Sequence, residues 1–198
     1  MTQPLRIVVA DDEPDMRDYF KKILPRLGHQ VVAAAETGRE LVEQCRALHP
    51  DLVITDIKMP DMDGIDAAVV LYQEWPIPVI LVSAYHDPEL IRRAEVDHIM
   101  GYLVKSIKQS DLEPVIALAL RRFEQFQALR QEAADLRQAL EDRKVIERAK
   151  GILMKRAALD EQAAFRRLQR LASDKNLKLV EIARALVTAE EAVQEPSP

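Results

Sequence analysis

The sequence predicts an α/β fold: an open parallel sheet covered on both faces by helices, followed by a smaller all-helical region. Three observations carry this. Five apolar runs alternate with helical patterns through residues 5–122, the mark of repeated βα units. Those runs are continuously apolar rather than alternating, as strands buried on both faces should be. Beyond them, residues 115–150 contain neither Gly nor Pro and are rich in Ala, Leu, Gln, Glu and Arg, which favours uninterrupted helix.

Strands are expected near residues 5–10, 30–34, 52–55, 78–83 and 101–104, and helices near 13–27, 37–48, 64–74, 87–96 and from 111 onward. Gly28 suits the end of the first helix. Pro50, Pro76 and Pro78 punctuate the entries to the third and fourth strands. Ser110-Asp111-Leu112-Glu113 reads as a capping box opening the long helix, with Pro114 tolerated in its first turn. Further along that helix, Phe126, Leu129, Ala133, Leu136 and Leu140 recur at alternating spacings of three and four. This is an a/d seam of two heptads, and it stops where Arg143 and Glu147 take the next positions. The seam predicts a short parallel coiled coil between two chains; a surface helix packed on its own chain is the alternative. Asp160 is placed to cap a helix running to about Asp174, with Ala164, Phe165, Leu168, Leu171 and Ala172 on one face. Lys178 to about Val193 gives another, carrying Leu179, Ile182, Ala183, Leu186 and Val187. With Ile146, Ala149, Leu153 and Met154 they are expected to close a three-helix bundle. The predicted division is 1–122, a helical coiled-coil linker 123–142, a bundle 143–193 and a disordered tail 194–198.

Composition narrows the function classes. The single Cys45 excludes an internal disulfide and suits a reducing compartment. Met1-Thr2-Gln3-Pro4 lacks a signal pattern, and no apolar run is long enough to span a bilayer; a cytoplasmic protein is expected. His29, His49, His86 and His98 are scattered and make no zinc pattern. The net charge of −5 hides an asymmetry. Residues 1–124 carry 14 Lys/Arg against 21 Asp/Glu, whereas residues 143–188 carry 12 against 5. A basic end on an acidic protein points to a polyanionic partner for that end.

Polar residues stand where the predicted strands stop. Asp11 and Asp12 follow the first, Asp56 ends the third, Ser83 the fourth and Lys105 the fifth. An open α/β sheet binds ligands beyond its carboxyl strand ends, where the strand order reverses. In the order 2-1-3-4-5, the first and third strands flank that point. Two carboxylates about 5 Å apart repel by roughly 3 kcal/mol at an effective dielectric of about 20, so three of them call for a hard divalent cation such as Mg²⁺. With Lys105 and Ser83 these parts suit phosphoryl transfer: a carboxylate attacks phosphorus to form an acyl phosphate, while cation, lysine and hydroxyl meet the charge on its oxygens. Taken singly, each acid is as well read as a cap, Asp12 or Glu13 for the first helix; the four stations together are not.

Residues Val9-Ala10-Asp11-Asp12-Glu13, Ile54-Thr55-Asp56-Ile57-Lys58-Met59-Pro60-Asp61-Met62-Asp63-Gly64, Ser83-Ala84 and Tyr102-Leu103-Val104-Lys105 resemble the receiver domain of two-component response regulators, a flavodoxin-like (βα)5 fold. The resemblance implies that Asp56 is the phosphoacceptor. It implies Mg²⁺ ligation by Asp12 and Asp56, with Asp11 acting through water and Lys58 through its backbone carbonyl. It implies that Lys105 contacts the phosphoryl group, that Ser83 and Tyr102 form the switch pair, and that a sensor histidine kinase is the phosphodonor. Ser106 departs from the family pattern, which usually follows the lysine with proline in a cis bond.

The basic end carries Arg143, Lys144, Arg148, Lys150, Lys155, Arg156, Arg166, Arg167 and Arg170. Charge alone fits a solvated face. The run Ile146-Glu147-Arg148-Ala149-Lys150-Gly151-Ile152-Leu153-Met154, with Glu161, Ala163-Ala164-Phe165-Arg166-Arg167-Leu168 and Ile182-Ala183, closely resembles the ANTAR module. That resemblance implies a three-helix RNA-binding output domain of an antitermination regulator, taking RNA hairpins. Lys150, Arg148, Lys155 and Arg156 are expected to lead the RNA contacts, with Lys144, Arg166 and Arg170 next, mostly on phosphates. Gly151 inside a helix costs about 1 kcal/mol against Ala, which helix packing, or else a close approach of RNA, would explain.

The reading is a bacterial response regulator that dimerises on phosphorylation, binds RNA hairpins and causes antitermination. It is no enzyme beyond phosphotransfer to its own aspartate. A DNA-binding regulator, a regulator that docks only on protein partners, and an enzyme acting in trans are the rival readings.

Overall fold

The computed structural model describes residues 4–84 and 99–194. The helix expected at 87–96, His86, His98 and the tail 195–198 lie outside the described residues. The chain divides into two compact units, Met1–Gln127 and Ala128–Pro198.

Unit 1 holds five strands, β1 (Arg6–Ala10), β2 (Gln30–Ala35), β3 (Leu52–Asp56), β4 (Val79–Ser83) and β5 (Ile99–Val104), in one parallel sheet of order β2-β1-β3-β4-β5. This is the predicted topology. Helices α1 (Pro14–Arg26), α2 (Gly38–Leu48) and α3 (Gly64–Glu74) follow β1, β2 and β3, and the long α4 (Gln109–Ala157) follows β5. Successive strand residues point to opposite faces, so the apolar runs serve two cores at once. Val8, Ala10, Val53 and Leu81 pack with Leu41 and Val42 of α2 and Ile65 and Leu71 of α3. Ile7, Val9, Ile54, Ile80 and Val82 pack with Phe20 and Leu24 of α1 and with Leu112, Ile116 and Ala119 of α4. Each fully buried aliphatic side chain stabilises the unit by about 1.5–3 kcal/mol.

Local chemistry sets the helix ends. Thr37 accepts the Glu40 N–H at the start of α2, and Asp63 accepts the Asp66 N–H at the start of α3. Gly28, just beyond α1, has φ +84°, the left-handed conformation that favours glycine. The expected capping box of α4 is displaced. The helix opens two residues earlier than read, at Gln109, and the Asp111 carboxylate reaches back to accept the Lys108 N–H at 3.1 Å. Pro114 therefore lies inside the helix. The Lys105–Ser106 peptide bond is cis.

Unit 2 contains the rest of α4, then α5 (Glu161–Lys175) and α6 (Leu179–Gln194). Asp160 caps α5 by accepting the Ala163 N–H at 2.7 Å, as its position predicted. The core is Ala149, Leu168, Ala172, Ile182, Ala183 and Val187, flanked by Ile146, Leu153 and Leu171. Met154, expected inward, is exposed; Val145 and Ile152 pack against the core instead. Helical phase explains the exchange, since Val145, Ala149 and Ile152 are spaced by four and three residues and share a face.

One buried polar group gives unit 1 an acid-sensitive joint. His29 is buried, and its Nδ1 accepts the Leu5 N–H at 3.3 Å. Burial lowers its pKa, against a smaller opposing pull from Glu113. A folded pKa below the unfolded one means that the unfolded state binds more protons, so stability is lost as pH falls below the ordinary histidine range. Urea denaturation at pH 7.5 and pH 5 is expected to show a larger acid loss for wild type than for His29→Gln, whose side-chain oxygen still accepts the amide. Identical acid losses would remove His29 from this role.

Candidate functional site

Strand register assembles the acidic cluster. Ala10 of β1 pairs with Thr55 of β3, so the next residues, Asp11 and Asp56, emerge side by side. The Asp11 N–H donates to the Ala35 carbonyl at 3.2 Å and the Ile57 N–H to the Val82 carbonyl at 3.0 Å, which ties both ends to neighbouring strands. The Lys105 N–H donates to the Ser83 carbonyl at 2.8 Å and brings the fifth-strand station to the fourth. Ser83 is buried at the end of β4, and Tyr102 on β5 packs at the margin of the α2/α3 core. Lys58 is exposed just past Asp56.

The carboxylate oxygens of Asp11, Asp12 and Asp56 lie within 4.8 Å of one another. Asp11 and Asp56 are buried, whereas Asp12 is exposed. The Lys105 ammonium stands 3.0 Å from Asp11 Oδ2, 2.8 Å from Glu13 Oε1 and 3.6 Å from Asp56 Oδ1. Burial pushes the Asp56 carboxyl up to about 6; Lys105 pulls it down and Asp11 pushes it up again. Burial likewise raises Asp11, against the Glu13 N–H that donates to it at 3.0 Å and against Lys105. For Lys105 burial opposes the charge, but hydrogen bonds to Glu13 and Asp11 outweigh it and raise the pKa. Two buried carboxylates with a third beside them favour positive charge in the pocket, and Lys105 supplies one such charge.

The donor set fits a hard cation. Asp11 Oδ2 is buried and accepts no well-aligned hydrogen bond from the described residues, although Lys105 is near. Three carboxylates in this span match the oxygen-only preference of Mg²⁺. Two residues were misread or missed in the sequence. Glu13 occupies the N-cap position of α1 but makes no side-chain cap, because its carboxylate is the nearest partner of Lys105. Arg17 donates to the carbonyls of Asp11 at 2.8 Å and Asp12 at 3.0 Å and holds the loop that carries both acids. Its signal was a cation five residues past Asp12.

Comparison with known proteins agrees with this geometry. The response regulator receiver domain family matches residues 7–117 and the ANTAR domain family matches residues 134–187. The chain belongs to the response regulators, with a receiver and an ANTAR domain. It is 39% identical over 184 residues to the transcriptional regulatory protein PdtaR of Mycobacterium tuberculosis, covering 93% of this chain and 90% of that one. The receiver resembles that of the putative response regulator NarL from Mycobacterium tuberculosis (30% identity, TM-score 0.56, 60% of this chain and 98% of that one). It also resembles the N-terminal domain of a response regulator/sensory box/GGDEF 3-domain protein from Carboxydothermus hydrogenoformans (28% identity, TM-score 0.55, 60% and 96%). Among the described residues no helix is long and apolar enough to cross a membrane.

In the ANTAR unit the structure sorts the predicted cations. Lys150 is buried, its ammonium held by Glu147 at 2.9 Å and Glu161 at 2.7 Å and lying 5.9 Å from the centre of the Phe165 ring. It ties the end of α4 to the start of α5. Arg148 pairs with Glu191, Arg156 with Glu190 and Lys144 with Glu141. Lys155, Arg166 and Arg170 are exposed. On the proposed seam, Phe126 belongs to unit 1, where it packs at the margin of the α1/α4 core, while Leu129, Leu136 and Leu140 are 65%, 65% and 55% exposed and Ala133 is exposed beside them.

Helix packing does not account for Gly151. A Cβ built there meets nothing within 4 Å among the described residues. Gly151→Ala is therefore expected to stabilise the protein by about 1 kcal/mol, the helix-propensity difference. A melt showing a loss instead would mean that something unseen packs on this spot.

Proposed function

We propose that the chain is a phosphorylation-activated cytoplasmic regulator that binds RNA hairpins and thereby causes transcription antitermination. The observation that carries the reading is the meeting of Asp11, Asp12, Asp56 and Lys105 at one sheet edge in a chain whose other end is an ANTAR domain. An Asp56 carboxylate oxygen attacks the phosphorus of a phosphohistidine on a sensor kinase. The P–O bond forms, the P–N bond breaks, and the imidazole leaves with a proton. Asp11, Asp12, Asp56 and the Lys58 carbonyl would hold Mg²⁺, which when bound neutralises charge in the pocket. Lys105 exchanges a carboxylate partner for a phosphoryl oxygen. Ser83 donates its hydroxyl to another, and Tyr102 follows inward.

Activation brings two chains together along Leu129, Ala133, Leu136 and Leu140. Those leucines are exposed at the spacing of a coiled-coil seam, and covering each would contribute about 1.5–3 kcal/mol. A seam this short is marginal alone and so leaves room for control by the receiver. Two ANTAR units in one dimer raise the effective concentration of the second RNA site.

The test combines light scattering with binding assays on the full chain, with and without a phosphoryl mimic. A shift from monomer to dimer is expected, together with salt-dependent binding of hairpin RNA in preference to duplex DNA. Tighter binding to the duplex would overturn the RNA assignment.

A further inference from the structure

Helix α1 carries one side chain to each pole of the acidic pocket. Its buried stripe is Phe20, Ile23 and Leu24. Arg17 and Tyr19 are two residues apart, which at about 3.6 residues per turn puts them roughly 160° apart around the axis, one on each side of Phe20. Arg17 goes to the carboxylates. Its guanidinium donates to the carbonyls of Asp11 and Asp12 at 2.8 and 3.0 Å, and Glu36 holds its other arm at 2.6 Å. The Arg17 side chain is 12% exposed, so this grip is largely shielded from water.

Tyr19 goes to the lysine loop. Its phenolic hydroxyl donates to the Ile107 carbonyl at 2.8 Å, across 88 residues of sequence. Tyr19 and Ile107 both pack at the margin of the α1/α4 core, and the Tyr19 ring meets Phe20 edge-on at 5.7 Å. Burial raises the phenol's pKa and Asp111 raises it further, so the hydroxyl stays protonated and donates. Ile107 lies two residues past Lys105. Ser106 between them leaves its φ free where a proline would fix it. Hydrogen bonds tie this stretch from the Lys105 N–H to Ser83, from Tyr19 to Ile107 and from the Lys108 N–H to Asp111. Of these, the Tyr19 bond comes from the helix that follows Asp11 and Asp12.

We propose that α1 positions the two poles of the pocket separately, with Arg17 as the positioning residue for the carboxylates that hold Mg²⁺ and Tyr19 as the positioning residue for Lys105. This rests on the phosphotransfer reading above and adds the residues that set its geometry. The two have opposite consequences for the cation. Loosening the Asp11–Asp12 loop spreads the oxygens and weakens Mg²⁺. Loosening Lys105 removes a competing positive charge, 3.0 Å from Asp11 and 3.6 Å from Asp56. Mg²⁺ binding then stays equal or tightens, while the phosphoryl group loses its partner.

The test uses the full chain and compares wild type, Arg17→Gln, Arg17→Lys and Tyr19→Phe. Mg²⁺ alone is titrated by calorimetry. Beryllofluoride, a phosphoryl mimic, is titrated in saturating Mg²⁺, and phosphoryl uptake from acetyl phosphate is followed at low and saturating Mg²⁺. Arg17→Gln is expected to bind Mg²⁺ about tenfold or more weakly and to recover uptake when Mg²⁺ saturates. Arg17→Lys falls between it and wild type, because an ammonium keeps the charge but not the planar fork. Tyr19→Phe keeps its ring on Phe20 and loses only the hydroxyl. It is expected to bind Mg²⁺ no more weakly than wild type, yet to lose about five- to tenfold in beryllofluoride affinity and in uptake at saturating Mg²⁺. A merely structural role would move all three measurements together, and cooperative metal-free melts show that each variant is folded. If Tyr19→Phe weakens Mg²⁺ as Arg17→Gln does, or handles beryllofluoride and acetyl phosphate like wild type, Tyr19 does not position Lys105. If Arg17→Gln binds Mg²⁺ like wild type, the carboxylate loop holds itself. In both cases phosphotransfer stands, since wild type still takes up the phosphoryl group; if wild type takes up none, both readings fall.

Discussion

Asp56→Asn is expected to abolish phosphoryl uptake from a small phosphodonor and, in the absence of metal, to make the receiver more stable. The first effect follows from removing the nucleophilic oxygen at the meeting point of three strand ends. The second follows from the linkage sign. Burial raises the folded pKa of Asp56 to about 6 from an ordinary value of 3.8, so the folded state binds the proton more tightly than the unfolded one. Stability from this group therefore falls as pH rises from about 4 to about 6 and stays reduced above. Two pKa units correspond to about 3 kcal/mol. Asparagine removes that penalty, so the gain in urea denaturation should be present at pH 7.5 and vanish near pH 4. Label retained by the Asn variant would displace Asp56 as the acceptor. Equal metal-free stability at pH 7.5 would mean that the pocket does not strain its own charges.

Gly64→Ala is expected to destabilise the receiver and to slow phosphoryl uptake together. In an exposed helix this substitution gains stability, because glycine is about 1 kcal/mol worse than alanine. Here a Cβ would fall 2.0 Å from the Asp56 carbonyl oxygen and 3.0 Å from Thr55 Oγ1. Both atoms belong to β3, pinned between β1 and β4, and the Gly64 N–H donates to the Ile57 carbonyl at 2.9 Å. The backbone that carries the phosphoacceptor must therefore give way. Overpacking of this kind costs about 1–3 kcal/mol or more. The contrast with Gly151→Ala, where the Cβ meets open space, makes the pair informative: one glycine should lose stability and the other gain it. A Gly64→Ala protein as stable as wild type, with normal label uptake, would show that β3 yields freely.

Much of the receiver was legible because its signals are local. Each apolar run is a strand's length, and the polar residue ending it marks the sheet edge. The order of strands then brings Asp11, Asp12 and Asp56 together with no further information. The α4 start was misplaced because Ser110 and Asp111 offer a cap of the expected type, while the bond actually made runs from Lys108 to Asp111. Met154 was misplaced because a helix followed by two others has several apolar stripes, and which one faces inward depends on the rotation of the neighbours.

The sequence by itself determined the order of strands and helices along the chain and the residue at each strand end, since these depend on spacing, while the spatial order β2-β1-β3-β4-β5 was implied by the receiver resemblance. The tertiary structure alone decided which charge meets which. Glu13, readable as a helix cap, is drawn to Lys105, 92 residues away. Lys150, readable as an RNA contact, is closed between Glu147 and Glu161. Arg166, Arg167 and Arg170, which look no different from their neighbours, form no ion pair among the described residues. An ion pair forms wherever folding brings opposite charges within a few ångströms, and that distance is set by the packing of distant segments rather than by their sequence separation.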